Sequence, residues 1–170
     1  MESPIKVFSN WVLSGKDEGM EINHSKSVEN MIEYSTKGID KYSFIDAGCG
    51  NGWVIRKVSG DPKCSSATGV DGSIHMIEKA KKLDSKNEYF CSDLLNWRPK
   101  EKVNIVHSME VFYYFKKPEI LIKHIYDNWL NNHVRKIDVD SMKQWGFNLV
   151  RAPIHYNLFT EPIENELSPF

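Results

Sequence analysis

No apolar run in this sequence approaches the ~20 residues that a membrane-spanning helix needs, so no membrane contact is expected. The first residues, Met1-Glu2-Ser3-Pro4, offer neither a basic start nor an apolar core, and no secretory signal is visible. Cysteine is scarce. Cys49, Cys64 and Cys91 are odd in number and form no C-x-x-C pair, which reads as free thiols in a reducing compartment. A cytoplasmic address follows as the expectation. The six histidines show neither H-x-x-x-H nor H-E-x-x-H spacing, so no metal site is expected. A net charge of -1 lacks the basic excess of a nucleic-acid surface, and no nucleic-acid partner is expected.

What is present is a chain of 170 residues, 41% of them hydrophobic, enough for a real core. Its organising stretch is Tyr42-Ser-Phe-Ile-Asp-Ala-Gly-Cys-Gly-Asn-Gly-Trp53. A short apolar run ends in Asp46, glycines follow at 48, 50 and 52, and a helical run starts at Trp53. Strand, glycine turn and helix open a nucleotide-binding βαβ unit. Glycine lets the backbone turn sharply and lets a ligand come closer than a Cβ permits. The helix behind the turn points unpaired N–H groups at that ligand. Further strands are expected at Ala67–Asp71, Glu88–Cys91 and Val103–Met109, with helices over Ser73–Leu83 and from Pro118. The buried stripe of the last helix reads Ile120, Leu121, Ile125, Trp129 and Leu130, and Lys79, Lys81 and Lys82 read as a solvated helix face.

The loop Asp46-Ala-Gly-Cys-Gly-Asn-Gly52 resembles motif I of the class I S-adenosylmethionine-dependent methyltransferases, and the likeness covers about residues 8–130. The dinucleotide fingerprint G-x-G-x-x-G differs in spacing, and an acid at Asp46 suits an ammonium and a sulfonium better than a pyrophosphate. The resemblance implies an α/β, Rossmann-like doubly wound sheet of order 3-2-1-4, incomplete at its C-terminal edge. It implies S-adenosyl-L-methionine as cofactor and a small-molecule acceptor. Asp71 lies at the distance past the loop where an acid holds ribose hydroxyls, although a helix-capping role before Ser73 fits the same position. Asp93 would accept from the adenine amino group and the Leu94 N–H would meet a ring nitrogen. Asp46, Gly48, Cys49, Gly50, Gly52, Gly72, Met76, Ser92 and Ser108 complete the expected cofactor set. Glu110, His107 and Tyr113 are the candidates for catalysis beside the methyl group, although His107, within the strand, reads more readily as a satisfied core histidine.

In the resembling family, residues 1–40 would be a helical lid, with Trp11, Met20 and His24 as candidate pocket residues or as packing on the sheet. Its polar segment Ser14–His24 reads as mobile. The absence of Asn-Pro-Pro-Tyr or Asp-Pro-Pro-Tyr after the fourth strand argues against methylation of base amino groups. From 131 onward the likeness stops. Residues 134–162 resemble instead a fragment of a cellulase-like (β/α)-barrel glycoside hydrolase, with Arg151 at the sugar-lining position. No catalytic carboxylate pair can be assigned there, and a whole barrel needs about 250 residues. A domain at 1–130 and an atypical tail at 131–170 are therefore expected. The tail could supply a helix, Val139 to Trp145, and a substitute fifth strand, Phe147 to Ile154, beside the fourth. Otherwise that edge stays open and invites dimerisation. The competing functions are a non-catalytic binding module and a nicotinamide-dependent oxidoreductase.

Overall fold

A computed structural model describes residues 4–131 of the chain. They belong to the first of two units, Met1–His133. Helix α1 spans Pro4–Leu13 and α2 spans Gly19–Thr36, joined by a 3-10 turn at Lys16–Glu18. Then come β1 (Tyr42–Ala47), α3 (Trp53–Val58), β2 (Cys64–Asp71), α4 (Ile74–Leu83), β3 (Glu88–Cys91), β4 (Ile105–His107) and α5 (Pro118–Asn128).

The four strands form one parallel sheet of order β3-β2-β1-β4, the order expected. Alternation along β1 shows why. Phe44 packs with Val28, Ile55 and Ile77 on the face covered by α2, α3 and α4. Its neighbour Ile45 points the other way, into a cluster with Val70, Leu121 and Trp129 beneath α5. A strand buried on both faces carries apolar residues in succession, as parallel sheets require.

Several expectations change. The polar segment before His24 is helical from Gly19 onward. Strand β2 begins earlier than Ala67, at Cys64, because Ser66 and Ala67 pair with Ser43 and Phe44 of β1. Ile120 does not belong to the buried stripe of α5: it is half exposed, while Leu121, Ile125 and Trp129 are buried. Just before β4, Val103 forms a parallel bridge with Leu130. The Val103 N–H donates to the Trp129 carbonyl (2.7 Å) and the Asn131 N–H to the Val103 carbonyl (2.9 Å). The expected helix and strand at 139–154 lie outside the described residues.

Candidate functional site

A cavity of about 340 Å³ opens at the carboxyl ends of the strands. Each strand hands it a residue: Gly48 after β1, Gly72 after β2, Ser92 after β3 and Met109 beyond β4. Its volume falls within the ~300–1,000 Å³ of small-molecule sites, and its place is where open α/β sheets collect ligands. A second cavity, about 370 Å³, lies at the starting halves of the strands beside Ser43, Ser66 and Glu88. It contains none of the expected site residues.

The glycine loop is built for close approach. Gly48, Gly50 and Gly52 all have positive φ, at 83°, 54° and 77°. A Cβ on Gly48 would lie 2.3 Å from Val111 Cγ2, and one on Gly52 would lie 2.5 Å from the Tyr89 ring. Around Gly50 there is room, with the nearest atoms, Met20 Cε and Met76 Sδ, at 3.8 Å. Gly50 is thus the point where the backbone faces the cavity, and the other two seat the loop against the protein.

Asp71 terminates β2 and does two jobs at once. It accepts from the Gly50 N–H (3.0 Å) through one oxygen and from the Ser73 N–H (2.7 Å) through the other. Ser73 itself caps α4 by accepting from the Met76 N–H at 3.4 Å. Burial pushes the Asp71 carboxyl above the usual carboxylate range, the two backbone bonds oppose that, and Asp46 adds to the rise. The half-buried carboxylate lines the cavity and keeps lone pairs for hydroxyl donors.

Sequence reasoning missed the residue that ties the lid to this loop. Asp17, in the 3-10 turn, is fully buried. It accepts from Asn51 Nδ2 (2.9 Å) and pairs with Lys79 Nζ (2.8 Å), and Lys79 also reaches Glu18 at 3.2 Å. Lys79 is therefore not part of a free solvated face. Asn51 uses its side-chain oxygen to accept from the Trp53 N–H (3.2 Å), so one amide joins the lid to the start of α3. No local pattern announces Asp17, whose burial depends on residues 34 and 62 positions away.

Four expected cofactor residues and one catalytic candidate do not line the cavity. Asp46 and His107 are register partners on β1 and β4, so their side chains meet under the loop. The His107 Nδ1–H donates to Asp46 Oδ1 at 2.7 Å, with both residues buried. His107 Nε2 is buried without a partner among the described residues. Cys49 also turns inward, its Sγ filling the space a side chain on Gly69 would need, and burial raises its thiol pKa well above the ordinary value. Gly52 packs on Tyr89, and Ser108 Oγ donates to the Ala47 carbonyl at 2.9 Å. These residues support the loop from beneath.

The remaining expected residues converge. Gly48, Gly50, Asp71, Gly72, Met76, Ser92, Asp93 and Leu94 line the cavity together with Glu110 and Tyr113. Trp11, Met20 and His24 of the lid also line the cavity, as pocket residues would. Asp93 accepts from the Leu95 N–H at 2.8 Å through one oxygen. Glu110 holds a left-handed φ of 58°, the one such residue that is not glycine among those described. Tyr113 Oη donates to Glu110 Oε2 at 2.6 Å, and burial followed by this bond raises the Tyr113 pKa. Phe8 packs edge-to-face on Trp11 (5.2 Å) and on Tyr114 (5.4 Å).

Among the described residues no helix is long and apolar enough to cross a membrane. Known proteins bear on this geometry. The family profile described as methyltransferase domain matches residues 21–161. It runs past the expected boundary at 130, and none of the matches supports the glycoside-hydrolase reading of 134–162. Trans-aconitate 2-methyltransferase of Klebsiella pneumoniae (strain 342) is 26% identical over 81 residues, 48% of this chain and 32% of that protein. The plantazolicin methyltransferase BamL, solved with a triazolic desmethylPZN analog and S-adenosylhomocysteine (SAH), superposes with a TM-score of 0.59 at 29% identity. That match covers 69% of this chain and 46% of BamL. BpumL with SAH superposes with a TM-score of 0.61 at 25% identity, over 72% and 49% of the two chains. The chain spans about a third of the curated relative and about half of each solved structure.

Proposed function

The chain belongs to the class I S-adenosylmethionine-dependent methyltransferase family, and from that premise we propose that it binds S-adenosylmethionine and methylates a small molecule. The observation that carries this reading is the convergence on one cavity of Gly50, Asp71 and Asp93, which come from the ends of three successive strands. In this reading the loop at Gly48–Gly50 takes the amino-acid end of the cofactor. Asp71 accepts from the ribose hydroxyls, Asp93 from the adenine amino group, and the Leu94 N–H meets a ring nitrogen. Met20 and Met76 flank Gly50, and their soft side chains suit a sulfur ligand's apolar surroundings. Asp46, Cys49, Gly52 and Ser108 act indirectly, by holding the loop.

When bound, S-adenosylmethionine supplies an activated methyl group on a sulfonium leaving group. The protein's contribution is then to position the acceptor in line and to exclude water. The acceptors named by the relatives are diverse, so none is carried over here.

Thermal unfolding with S-adenosylmethionine, SAH or NAD at matched concentrations tests the reading. A ligand at about a hundred times its dissociation constant adds ~2.7 kcal/mol of stability. A shift with both S-adenosyl ligands, lost in Asp71→Ala, supports it. A shift with NAD alone points to the oxidoreductase, and binding without turnover of any acceptor points to a non-catalytic module.

A further inference from the structure

We propose that the acceptor is a flat, apolar molecule carrying a basic amine, its ring held by Phe8, Trp11 and Tyr114 and its nitrogen by Glu110. This rests on the cofactor assignment above, which allots Asp71 and Asp93 to S-adenosylmethionine. Glu110 is then the carboxylate left among the described lining residues. It is exposed and stands on a left-handed backbone, a conformation unfavourable to a non-glycine residue. Strain of that kind at a cavity wall marks a side chain held where a ligand needs it. Tyr113 fixes it further by donating to Oε2, leaving Oε1 to take a second donor.

The neighbouring surface says what that donor is attached to. Phe8, Trp11 and Tyr114 form an edge-to-face cluster that lines the same cavity, with Tyr114 41% exposed. Aromatic surface next to a carboxylate attracts a cation twice over, through the ring quadrupole and through charge. The described lining carries three carboxylates, Asp71, Asp93 and Glu110, beside His24 and two tyrosines and no lysine or arginine, a set that repels a carboxylate or phosphate acceptor. Before the transfer the bound ammonium gives one proton to Glu110 and so to water, and the lone pair this frees on nitrogen forms the bond to the sulfonium methyl carbon. The carbon–sulfur bond breaks with its pair staying on sulfur.

Calorimetric titration in saturating SAH tests this, with phenethylamine and 3-phenylpropionate as matched probes. The expected result is that the amine binds at least about tenfold more tightly than the acid. Glu110→Gln and Glu110→Gly should both erase that preference and leave SAH affinity unchanged. Glycine accepts the φ of residue 110, so the second variant removes the carboxylate while keeping the backbone. Turnover with S-adenosylmethionine should then add one methyl mass to the amine. Equal or tighter binding of the acid, or binding of neither probe while SAH binds, overturns the inference and leaves the cofactor reading standing. Failure of the wild-type chain to bind SAH overturns both.

Discussion

The glycine loop and the turn carrying Glu110, Tyr113 and Tyr114 line one cavity but are held in opposite ways. On the first, backbone makes the surface: Gly48 and Gly50 at positive φ, with Gly52 seated behind them, tethered by Asp71 to Gly50 and by Asn51 to Asp17. On the second, side chains make it: exposed Tyr113 and Tyr114 and the carboxylate of Glu110 on a short turn. The backbone-built surface tolerates little change at Gly48 and Gly52, where an added Cβ meets Val111 and Tyr89. A side-chain surface can exchange chemistry without disturbing the sheet.

The largest effect should come from adding a single methyl to the glycine loop. Gly52→Ala combines an unfavourable φ of 77° with a Cβ 2.5 Å from the Tyr89 ring. We expect a loss of about 2–5 kcal/mol in chemical denaturation, the left-handed cost plus overpacking. A loss below 1 kcal/mol would mean the loop is not seated as described. Next, Asp71→Asn should weaken SAH binding roughly ten- to hundredfold by calorimetry, since charged hydrogen bonds are worth about 1.5–3 kcal/mol.

The pH dependence of the same site sharpens the contrast. The Asp71 pKa is raised, chiefly by burial, so the folded state takes up a proton more readily than the unfolded chain. Stability from this group therefore grows as pH falls from the raised value to the ordinary one. Cofactor affinity moves the other way, because only the ionised carboxylate accepts two hydroxyls. Affinity that declines with acidity in the native chain but not in Asp71→Asn is the expected result.

A smaller effect is expected at the joint between lid and loop. Asp17→Ala leaves Asn51 Nδ2 and Lys79 without their buried acceptor. About 1–3 kcal/mol should be lost, with α2 more open to protease while the sheet stays intact. The smallest effect belongs to the turn carrying Glu110 and has the opposite sign. Glu110→Gly should raise the unfolding free energy slightly, by about 0.5–1 kcal/mol in chemical denaturation, because glycine is at ease at φ 58°. A destabilised Glu110→Gly would show that the loop and the turn are not so differently built.

The contrast also decides what could be read from the residues alone. Strand order, the loop, Asp71 and Asp93 were legible because each is a local event: a strand ends, a glycine turn or acid follows, a helix begins. The inward direction of Asp46 was not legible because it is set by register with His107, a pairing across 61 positions that no local spacing encodes. Asp17 looked like an ordinary acid in a polar linker. Only the packing of Lys79 and Asn51 around it makes it a buried anchor. The lid residues Trp11, Met20 and His24 were legible through the resemblance, not through a periodic pattern.

The inward turn of Cys49 has a further consequence. The three thiols stand at three depths, Cys91 exposed, Cys64 intermediate and Cys49 buried against Gly69. A thiol reagent will therefore count time as well as cysteines. Cys91 should react at once, whereas Cys49 can react only during the moments when the glycine loop lifts from β2. The slow phase of labelling is then a clock for loop opening, and SAH should slow that clock while leaving the first phase untouched.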